Sequence, residues 1–290
     1  MNNISATARL VAMYRALETE RPDALFHDFF ARRLAGGEGA MMVEVLGAKH
    51  QGTTAMAIRT CAIDSMLQRL IEVDRIDTVL NLGAGLDTRP YRLNLPTSLC
   101  WIEVDLPEIL RYKEQELSSE QPFCSVKRIE LDLMDVAARR RLFAQINASA
   151  KQVLIITEGL LSYLTEAQVA SLANDLHQQS NFHGWLFELA SPVALQQIQK
   201  SKQQKLFDQY FANGNPTFLF APEQGTEFFR AYGWSVREFR SVWKEACRLK
   251  RHGHLIRFSG LLMRWFAKRT WLAMSQHTGF VLLEHCIHYL

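Results

Sequence analysis

A short apolar segment followed at once by two glycines constrains this chain most strongly. Residues 79–82 read V-L-N-L, and Gly83-Ala84-Gly85 follows directly. A short and mostly apolar run is typical of a strand that is buried on both faces. Two glycines spaced by one residue permit a tight turn and let a ligand approach bare backbone. The pattern predicts a ligand-binding turn at the carboxyl end of a central strand.

Strand-like and helix-like segments alternate through most of the chain beyond this first strand. The strand-like segments are 76–82, 99–104, 125–131, 152–157, 184–189, 235–240 and 278–284. The helix-like segments between them are 107–117, 135–146, 166–179 and a long stretch over 193–211. Strands that alternate with helices in this way indicate an α/β fold with a mostly parallel sheet and helices on both faces.

The residues before this alternation show helical patterns. Residues 5–18 and 52–73 place apolar side chains at helical spacing, and 23–35 is predicted to be a helix that stops at Gly36-Gly37. We interpret residues 1–51 as an N-terminal helical cap on the sheet.

Two later segments also stand out. The connection between the fifth and sixth strands is about 45 residues long, more than an ordinary crossover needs. We interpret 190–230 as an insertion that covers the site, with a loop at 213–216, within a single domain of residues 1–290. The basic, aromatic segment 244–270 is interpreted as two helices that lead to the last strand, with a membrane-surface or partner helix as the alternative.

Composition excludes several classes of protein. The net charge is +3, which is too small to indicate nucleic acid or an acidic membrane surface as a partner. No apolar run is long enough for a membrane span, and no secretory signal is evident at the first residues. The five cysteines are scattered without a C-x-x-C pair, which indicates reduced thiols, no metal site and a cytoplasmic location.

The residues around the glycine turn indicate the kind of ligand. Glu103 and Asp105 end the second strand at about the distance from the turn at which a carboxylate holds ribose hydroxyls. Thr88 stands where a dinucleotide site needs a third glycine. Asp87 would be a poor neighbour for a pyrophosphate and suits a cationic ligand better. A nicotinamide oxidoreductase is therefore the weaker alternative.

S-adenosylmethionine combines a ribose with a sulfonium cation and an amino-acid tail, and it carries no phosphate. The tail needs one partner for its carboxylate and one for its ammonium. Arg59, on the helix before the first strand, offers a fork of donors for the carboxylate. Glu158 follows the fourth strand and offers a carboxylate for the ammonium.

Three motifs carry a resemblance to a known family. They are N-L-G-A-G-L-D-T-R-P-Y-R-L over 81–93, E-V-D-L-P over 103–107 and T-E-G-L-L-S-Y-L over 157–164. In this order they resemble the leucine carboxyl methyltransferase family, whose bacterial branch includes O-methyltransferases of small molecules and polyketides. The resemblance implies a Rossmann-like class I methyltransferase sheet of seven strands, with the last strand antiparallel and S-adenosylmethionine as cofactor.

The resemblance also implies roles for individual residues. Arg59 would hold the methionine carboxylate, and Glu158 would face the methionyl part. Asp105 would hold the ribose, with Glu103 as a second candidate. The remaining cofactor-binding residues would be Gly83, Gly85 and Asp87 at the turn and Asp132 and Leu133 beside the adenine. The region before Gly52 and the insertion would form the acceptor pocket.

The acceptor is left open between several groups. A carboxylate acceptor needs no general base, and Arg92 is a candidate cation for it. A hydroxyl acceptor needs a base. Tyr163 or one of His177, His183, His252 and His254 could approach it, but their spacing singles none of them out, so we predict that no catalytic base is used. The predicted acceptor is a small molecule. A protein C-terminal carboxylate and a cofactor-binding protein without activity are the alternatives, and the oligomeric state is open.

Overall fold

The computed structural model describes residues 3–47, 49–210, 218–251 and 278–286. The loop predicted at 213–216 lies outside the described residues, and so does the larger part of the basic segment, from residue 252 onward.

Seven strands form one sheet in the order β3-β2-β1-β4-β5-β7-β6. The strands are β1 Thr78–Leu82, β2 Cys100–Asp105, β3 Ser125–Glu130, β4 Val153–Thr157, β5 Phe182–Leu189, β6 Trp234–Ser241 and β7 Gly279–His285. The first five are parallel, whereas β7 runs antiparallel to both β5 and β6. The predicted sheet and the direction of its last strand are confirmed.

The central position of β1 follows from its sequence. Every residue of β1 and of β4 is buried, as their nearly continuous apolar runs require of strands covered on both faces. Val79 of β1 pairs with Trp101 of β2 on one side and with Leu154 of β4 on the other. The chain order reverses between β1 and β4, and in such sheets a ligand crevice opens at the carboxyl ends of the strands there.

Ten helices are described. They are α1 Asn3–Thr19, α2 Ala31–Leu46, α3 Lys49–Val73, α4 Arg89–Arg92, α5 Pro107–Glu116, α6 Val136–Ser149, α7 Glu166–His177, α8 Pro192–Lys200, α9 Lys202–Tyr210 and α10 Val242–Arg248. Two 3₁₀ turns cover Leu161–Tyr163 and Gly225–Tyr232. None of the helices within the described ranges is long and apolar enough to cross a membrane.

The predicted helix over 23–35 is wrong for residues 23–30 and confirmed for 31–35. The chain from Glu20 to Phe30 forms turns, because side chains of α1 bind its backbone: Glu18 accepts from Leu25 N at 2.9 Å. The second helix begins at Ala31 and continues through the glycine pair to Leu46. Gly36 has φ 60° and ψ −168°, which is a kink rather than an end, and apolar residues remain buried on both sides of it.

The N-terminal segment is fixed to the chain just after the glycine turn. Arg15 Nη2 donates to the carbonyl of Leu86 at 2.6 Å. Asp28 accepts from Arg15 Nε at 2.9 Å and from the Thr88 hydroxyl at 2.7 Å. Because these groups are buried, α1 and the turns after it lie firmly over this part of the sheet edge.

Candidate functional site

The glycine turn presents bare backbone at the end of β1. Gly83 has φ 68° and Gly85 has φ 47°, a region that residues with side chains rarely adopt. A Cβ on Gly83 would meet Leu160 Cδ1 at 3.2 Å. Gly83 N donates to Val104 O at 2.9 Å, so the turn is anchored to β2. Only glycine combines this conformation with room for a ligand against the chain.

Asp105, at the end of β2, is bound to the same turn. Its Oδ2 accepts from Gly85 N at 2.6 Å, and its Oδ1 accepts from Leu106 N at 2.7 Å. Burial raises the pKa of Asp105, although these two backbone donors oppose the shift. Each carboxylate oxygen can accept more than one hydrogen bond, so the side chain retains capacity for ribose hydroxyls.

The structure gives Glu103 different partners. Its side chain is fully buried, with Oε1 2.7 Å from Lys113 Nζ and Oε2 3.1 Å from Arg128 Nε. The two cations compensate the buried carboxylate, which would otherwise be costly. Glu103 thus pairs within the protein, and its charge and that of Lys113 both act on Asp105.

Asp132 and Leu133 follow β3 on the same edge of the sheet. Leu131 N donates to Asp105 O at 2.9 Å, which places this segment beside the end of β2. The exposed Asp132 accepts from Met134 N at 2.8 Å, whereas Leu133 is buried. The edge therefore offers an apolar side chain next to a carboxylate, one strand beyond Asp105.

A buried arginine that the sequence did not single out joins three carboxylates. Arg89 Nε lies 2.6 Å from Asp64 Oδ1, and its Nη1 lies 2.9 Å from Asp87 Oδ2 and 2.7 Å from Glu158 Oε2. Asp87 also accepts from Asn81 of β1 at 2.9 Å. The only hint in the sequence was the position of Arg89 two residues after Asp87, at the start of α4.

Arg59 approaches the same carboxylates from α3. Its Nε lies 2.8 Å from Glu158 Oε1, and its Nη1 lies 3.8 Å from Glu188 Oε1. Glu188, near the end of β5, also accepts from Gly159 N at 2.5 Å. Sequence reasoning missed Glu188. A carboxylate within the apolar run G-W-L-F-E-L was the signal that could have found it.

The carboxylates differ in their ionisation. Burial disfavours the charge on Glu158, but Arg89 and Arg59 outweigh it and lower the pKa of this group. Burial likewise opposes the charge on Asp87, whose pKa is lowered chiefly by Arg89. Burial raises the pKa of Glu188 to about 7, because Arg59 compensates it only partly and Glu158 repels its charge. Glu188 is thus the carboxylate among these three whose pKa lies nearest neutrality.

We call these interacting side chains the ion cluster. Its members are Asp64, Asp87, Glu158, Glu188, Arg59, Arg89 and Arg92. Four carboxylates and three guanidinium groups leave one excess negative charge when all are ionised. S-adenosylmethionine, with a zwitterionic tail and a sulfonium, carries one excess positive charge. The charge of the cluster and the bare glycine backbone beside it both fit this cofactor.

The two residues predicted to contact the acceptor lie in different surroundings. Arg92 forms a bidentate salt bridge with Asp64, with nitrogen–oxygen distances of 2.6 Å and 3.0 Å, and its side chain is buried. Tyr163 stacks on Phe218 with ring centroids 5.1 Å apart, and its hydroxyl hydrogen bonds with Thr7 of α1. Burial raises the pKa of Tyr163. Of the two, Tyr163 is the one in contact with both the cap and the insertion.

The histidines do not come together at this site. His177 stacks on His285 at 4.4 Å, beside β6 and β7, and His183 contacts the carbonyl of Lys151. His252 and His254 lie outside the described residues.

Comparison with known proteins decides the family. The model of the leucine carboxyl methyltransferase family matches residues 8–177, more than half of the chain. This chain belongs to that family. A relative from Rhodococcus jostii (strain RHA1), named "Putative S-adenosyl-L-methionine-dependent methyltransferase", is 30% identical over 269 residues, with 83% of this chain and 86% of the relative covered. A relative of the same name from Mycobacteroides abscessus is 29% identical over 255 residues, with 81% and 84% covered.

Two further comparisons bear on coverage and fold. A relative from Parafrankia sp. is 33% identical over 187 residues, which span 61% of this chain and 60% of that relative. The crystal structure of a DUF574 family protein from Streptomyces avermitilis superimposes with a TM-score of 0.58 at 16% identity, with 97% of each chain covered. The fold is the class I methyltransferase fold. The family confirms the predicted enzyme class and cofactor: an S-adenosylmethionine-dependent methyltransferase.

Proposed function

We propose that this methyltransferase transfers the methyl group to an oxygen atom of a small molecule, a hydroxyl or a carboxylate, with polyketide-like compounds among the candidates. One observation carries the proposal. Tyr163 is held between Thr7 of α1 and Phe218 of the insertion, next to the ion cluster. A site that is covered by both the cap and the insertion suits a small acceptor better than the tail of a folded protein.

In this proposal the cofactor lies along the carboxyl edge of the sheet. Its contacts are Arg59, Gly83, Gly85, Asp87, Asp105, Asp132, Leu133 and Glu158. The residues at the end of β3 would hold the adenine, those at the end of β2 the ribose, and those after β1 and β4 the methionyl part. Direct contact of Glu103 with the ribose is not included, because Lys113 and Arg128 engage its oxygens.

The protein contributes alignment and exclusion of water. When bound, S-adenosylmethionine supplies a methyl group already activated by the sulfonium charge. Arg59 and Glu158 would hold the amino-acid tail and Asp105 would hold the ribose, which would align the cofactor with the acceptor. We propose that the cap of residues 1–51 and the insertion of residues 190–230 close the acceptor pocket within one domain. The cytoplasmic location and the absence of a nucleic-acid partner remain predictions.

Calorimetry and turnover test this function together. S-adenosylhomocysteine is expected to bind, and NAD is expected not to bind. Release of S-adenosylhomocysteine is then measured with a panel of phenols, the matching aromatic carboxylic acids and a peptide that ends in leucine. We expect turnover of a small molecule. Turnover of the peptide alone would replace this proposal with protein carboxyl methylation, the activity in the name of the family.

A further inference from the structure

Glu188 lies on the next strand beyond the position proposed for the cofactor, within electrostatic range of Tyr163. In the proposed arrangement the cofactor occupies the ends of β3, β2, β1 and β4. The next strand along the edge is β5, and Glu188 lies near its end, one strand beyond Glu158. The Glu188 side chain is 23% exposed, although its Oε2 atom is itself covered. Glu188 therefore lies beyond the methionyl part rather than beneath it.

The two oxygens of Glu188 differ in their partners. Oε1 accepts from Gly159 N at 2.5 Å and lies 3.8 Å from Arg59 Nη1. Oε2 is buried and has no hydrogen-bond partner among the described residues. A buried carboxylate oxygen without a donor is costly, so this atom suits a group that brings a proton to it. A hydroxyl of the acceptor is such a group.

The neighbouring carboxylate, Glu158, is already paired with two arginines. Glu158 has Arg59 at 2.8 Å and Arg89 at 2.7 Å, and these guanidinium groups hold it ionised. The charged and titratable groups that face Glu188 are Arg59 on α3, Glu158 after β4 and Tyr163 in the 3₁₀ turn. Tyr163 stays neutral at neutral pH because burial raises its pKa. Proton exchange at this site therefore falls to Glu188, whose pKa is about 7.

We propose that Glu188 is the catalytic base of this enzyme and that the acceptor is a neutral aromatic hydroxyl. This inference rests on the proposed transfer to oxygen. The aromatic class fits the ring surfaces of Tyr163 and Phe218 on the same side. A general base works best when its pKa is near the working pH.

The transfer step balances in charge and atoms. The hydroxyl proton passes to the carboxylate of Glu188, and the acceptor oxygen uses its electron pair to form the new bond to the methyl carbon. The carbon–sulfur bond breaks with its pair remaining on sulfur, which leaves a methyl ether and neutral S-adenosylhomocysteine. Glu188 then releases its proton to solvent.

A carboxylate acceptor fits this side of the cluster less well. The cation predicted for it, Arg92, is already paired with Asp64 through two contacts. Arg59 is shared by Glu158 and Glu188. A third carboxylate placed there would face two like charges with no free cation among the described members of the cluster, which costs binding energy.

The test uses Glu188→Gln with Glu130→Gln as the matched control. Glu130 also ends a parallel strand, but it pairs with Arg111 at the surface. Turnover of phenol by Glu188→Gln is expected to fall by roughly 100-fold or more, as loss of a general base predicts. 4-Nitrophenol ionises near neutral pH and needs no base, so its turnover at pH 8 should fall less than about tenfold. The control is expected to keep both rates.

Binding supplies a readout that is independent of turnover. S-adenosylhomocysteine affinity should stay within about threefold in Glu188→Gln, which also shows that the variant folds. In the wild type at pH 6.5, binding of the S-adenosylmethionine cation should release more protons than binding of S-adenosylhomocysteine. This difference, measured by calorimetry in two buffers, should vanish in Glu188→Gln. If Glu188→Gln does not fold, Glu188→Asp takes its place. This variant keeps a carboxyl group and should therefore retain the difference in proton release.

Several outcomes overturn the assignment. Equal losses with phenol and 4-nitrophenol, or an unchanged proton difference in Glu188→Gln, would remove Glu188 as the base. A large loss of S-adenosylhomocysteine affinity in a folded variant would make it a cofactor ligand instead. Turnover of carboxylic acids only would overturn the hydroxyl acceptor while leaving the proposed function intact. Failure with every small molecule would instead contradict the proposed function, and the proton measurement would still decide the role of Glu188.

Discussion

Arg89 Nη1 lies 2.7 Å from Glu158 Oε2, which joins the residue after the glycine turn to the carboxylate that follows β4. The Arg89 side chain is only 3% exposed, so this pair is almost free of competing water. Two of the three sequence motifs therefore meet in one buried contact. The contact holds Glu158 ionised and fixes its direction, which the proposed role toward the ammonium of the cofactor requires.

Loss of this arginine should destabilise the protein strongly. Arg89→Met leaves Asp64, Asp87 and Glu158 without their common cation, and breaking a buried pair typically costs about 3–5 kcal/mol. Arg111→Met, which removes an exposed partner of Glu130, should change the unfolding free energy little. Urea denaturation measures both variants. Equal urea midpoints for Arg89→Met and Arg111→Met would show that the buried ion cluster contributes little net stability.

Loss of Arg59 should weaken cofactor binding. Arg59→Gln removes the guanidinium proposed for the methionine carboxylate, and a charge-assisted hydrogen bond of about 1.5–3 kcal/mol corresponds to roughly a 10- to 100-fold weaker Kd. Arg69→Gln is the control, because Arg69 lies on the same helix and pairs with Glu238 on β6. Calorimetry with S-adenosylhomocysteine compares the two. Similar affinities would contradict the assignment of Arg59.

Substitution in the glycine turn should affect both stability and binding. Gly83→Ala places a Cβ 3.2 Å from Leu160 at a φ of 68°, and a left-handed conformation costs a residue with a side chain about 1–2 kcal/mol. The same methyl group intrudes where the cofactor would approach, so we expect at least roughly tenfold weaker binding of S-adenosylhomocysteine. Thermal unfolding and calorimetry give the two quantities.

The control for this substitution is Gly37→Ala. A Cβ at this position in α2 would have nothing within 4 Å, and no positive φ is recorded there. Alanine is the better helix former by about 1 kcal/mol, so the Tm should stay level or rise. A parallel fall of Tm in both variants would mean that the turn imposes no special demand on its backbone.

The stability difference between Glu188→Gln and the wild type should depend on pH. The pKa of Glu188 rises from an ordinary 4.5 to about 7 on folding, so the unfolded chain releases this proton at lower pH than the folded one. Wild-type stability from this group is therefore complete below about pH 4.5 and is lost as the pH rises through 7. Glutamine does not titrate. The Tm of Glu188→Gln relative to the wild type should thus rise between pH 5 and 8.

Glu130→Gln serves as the reference for this pH series. Its arginine partner, Arg111, lowers the pKa of Glu130, so the change in its charge lies below the tested range. Its Tm difference from the wild type should stay constant between pH 5 and 8. If Glu188→Gln gave the same flat profile, Glu188 would be ionised throughout, and a proton-accepting role near neutral pH would lose its support.

The sheet was predictable because its signals are local. Apolar runs mark β1 and β4 as central strands, and the alternation with helices indicates a parallel sheet. The helix predicted over 23–35 is absent from residues 23–30, because spacing along the chain does not reveal contacts with α1. Glu18 and Thr19, at the end of α1, bind the backbone of Leu25 and Asp28, and such contacts override local preference.

The amino-acid sequence by itself determined the glycine turn, the alternation of strands and helices, and the family. These features depend on short motifs and on periodicity, which neighbouring residues in the chain decide. Only the tertiary structure showed that Glu103 is paired with Lys113, and that Arg89 and Glu188 share a cluster with Glu158. Ionisation and pairing depend on burial and on charges brought together from distant segments, so no local pattern encodes them.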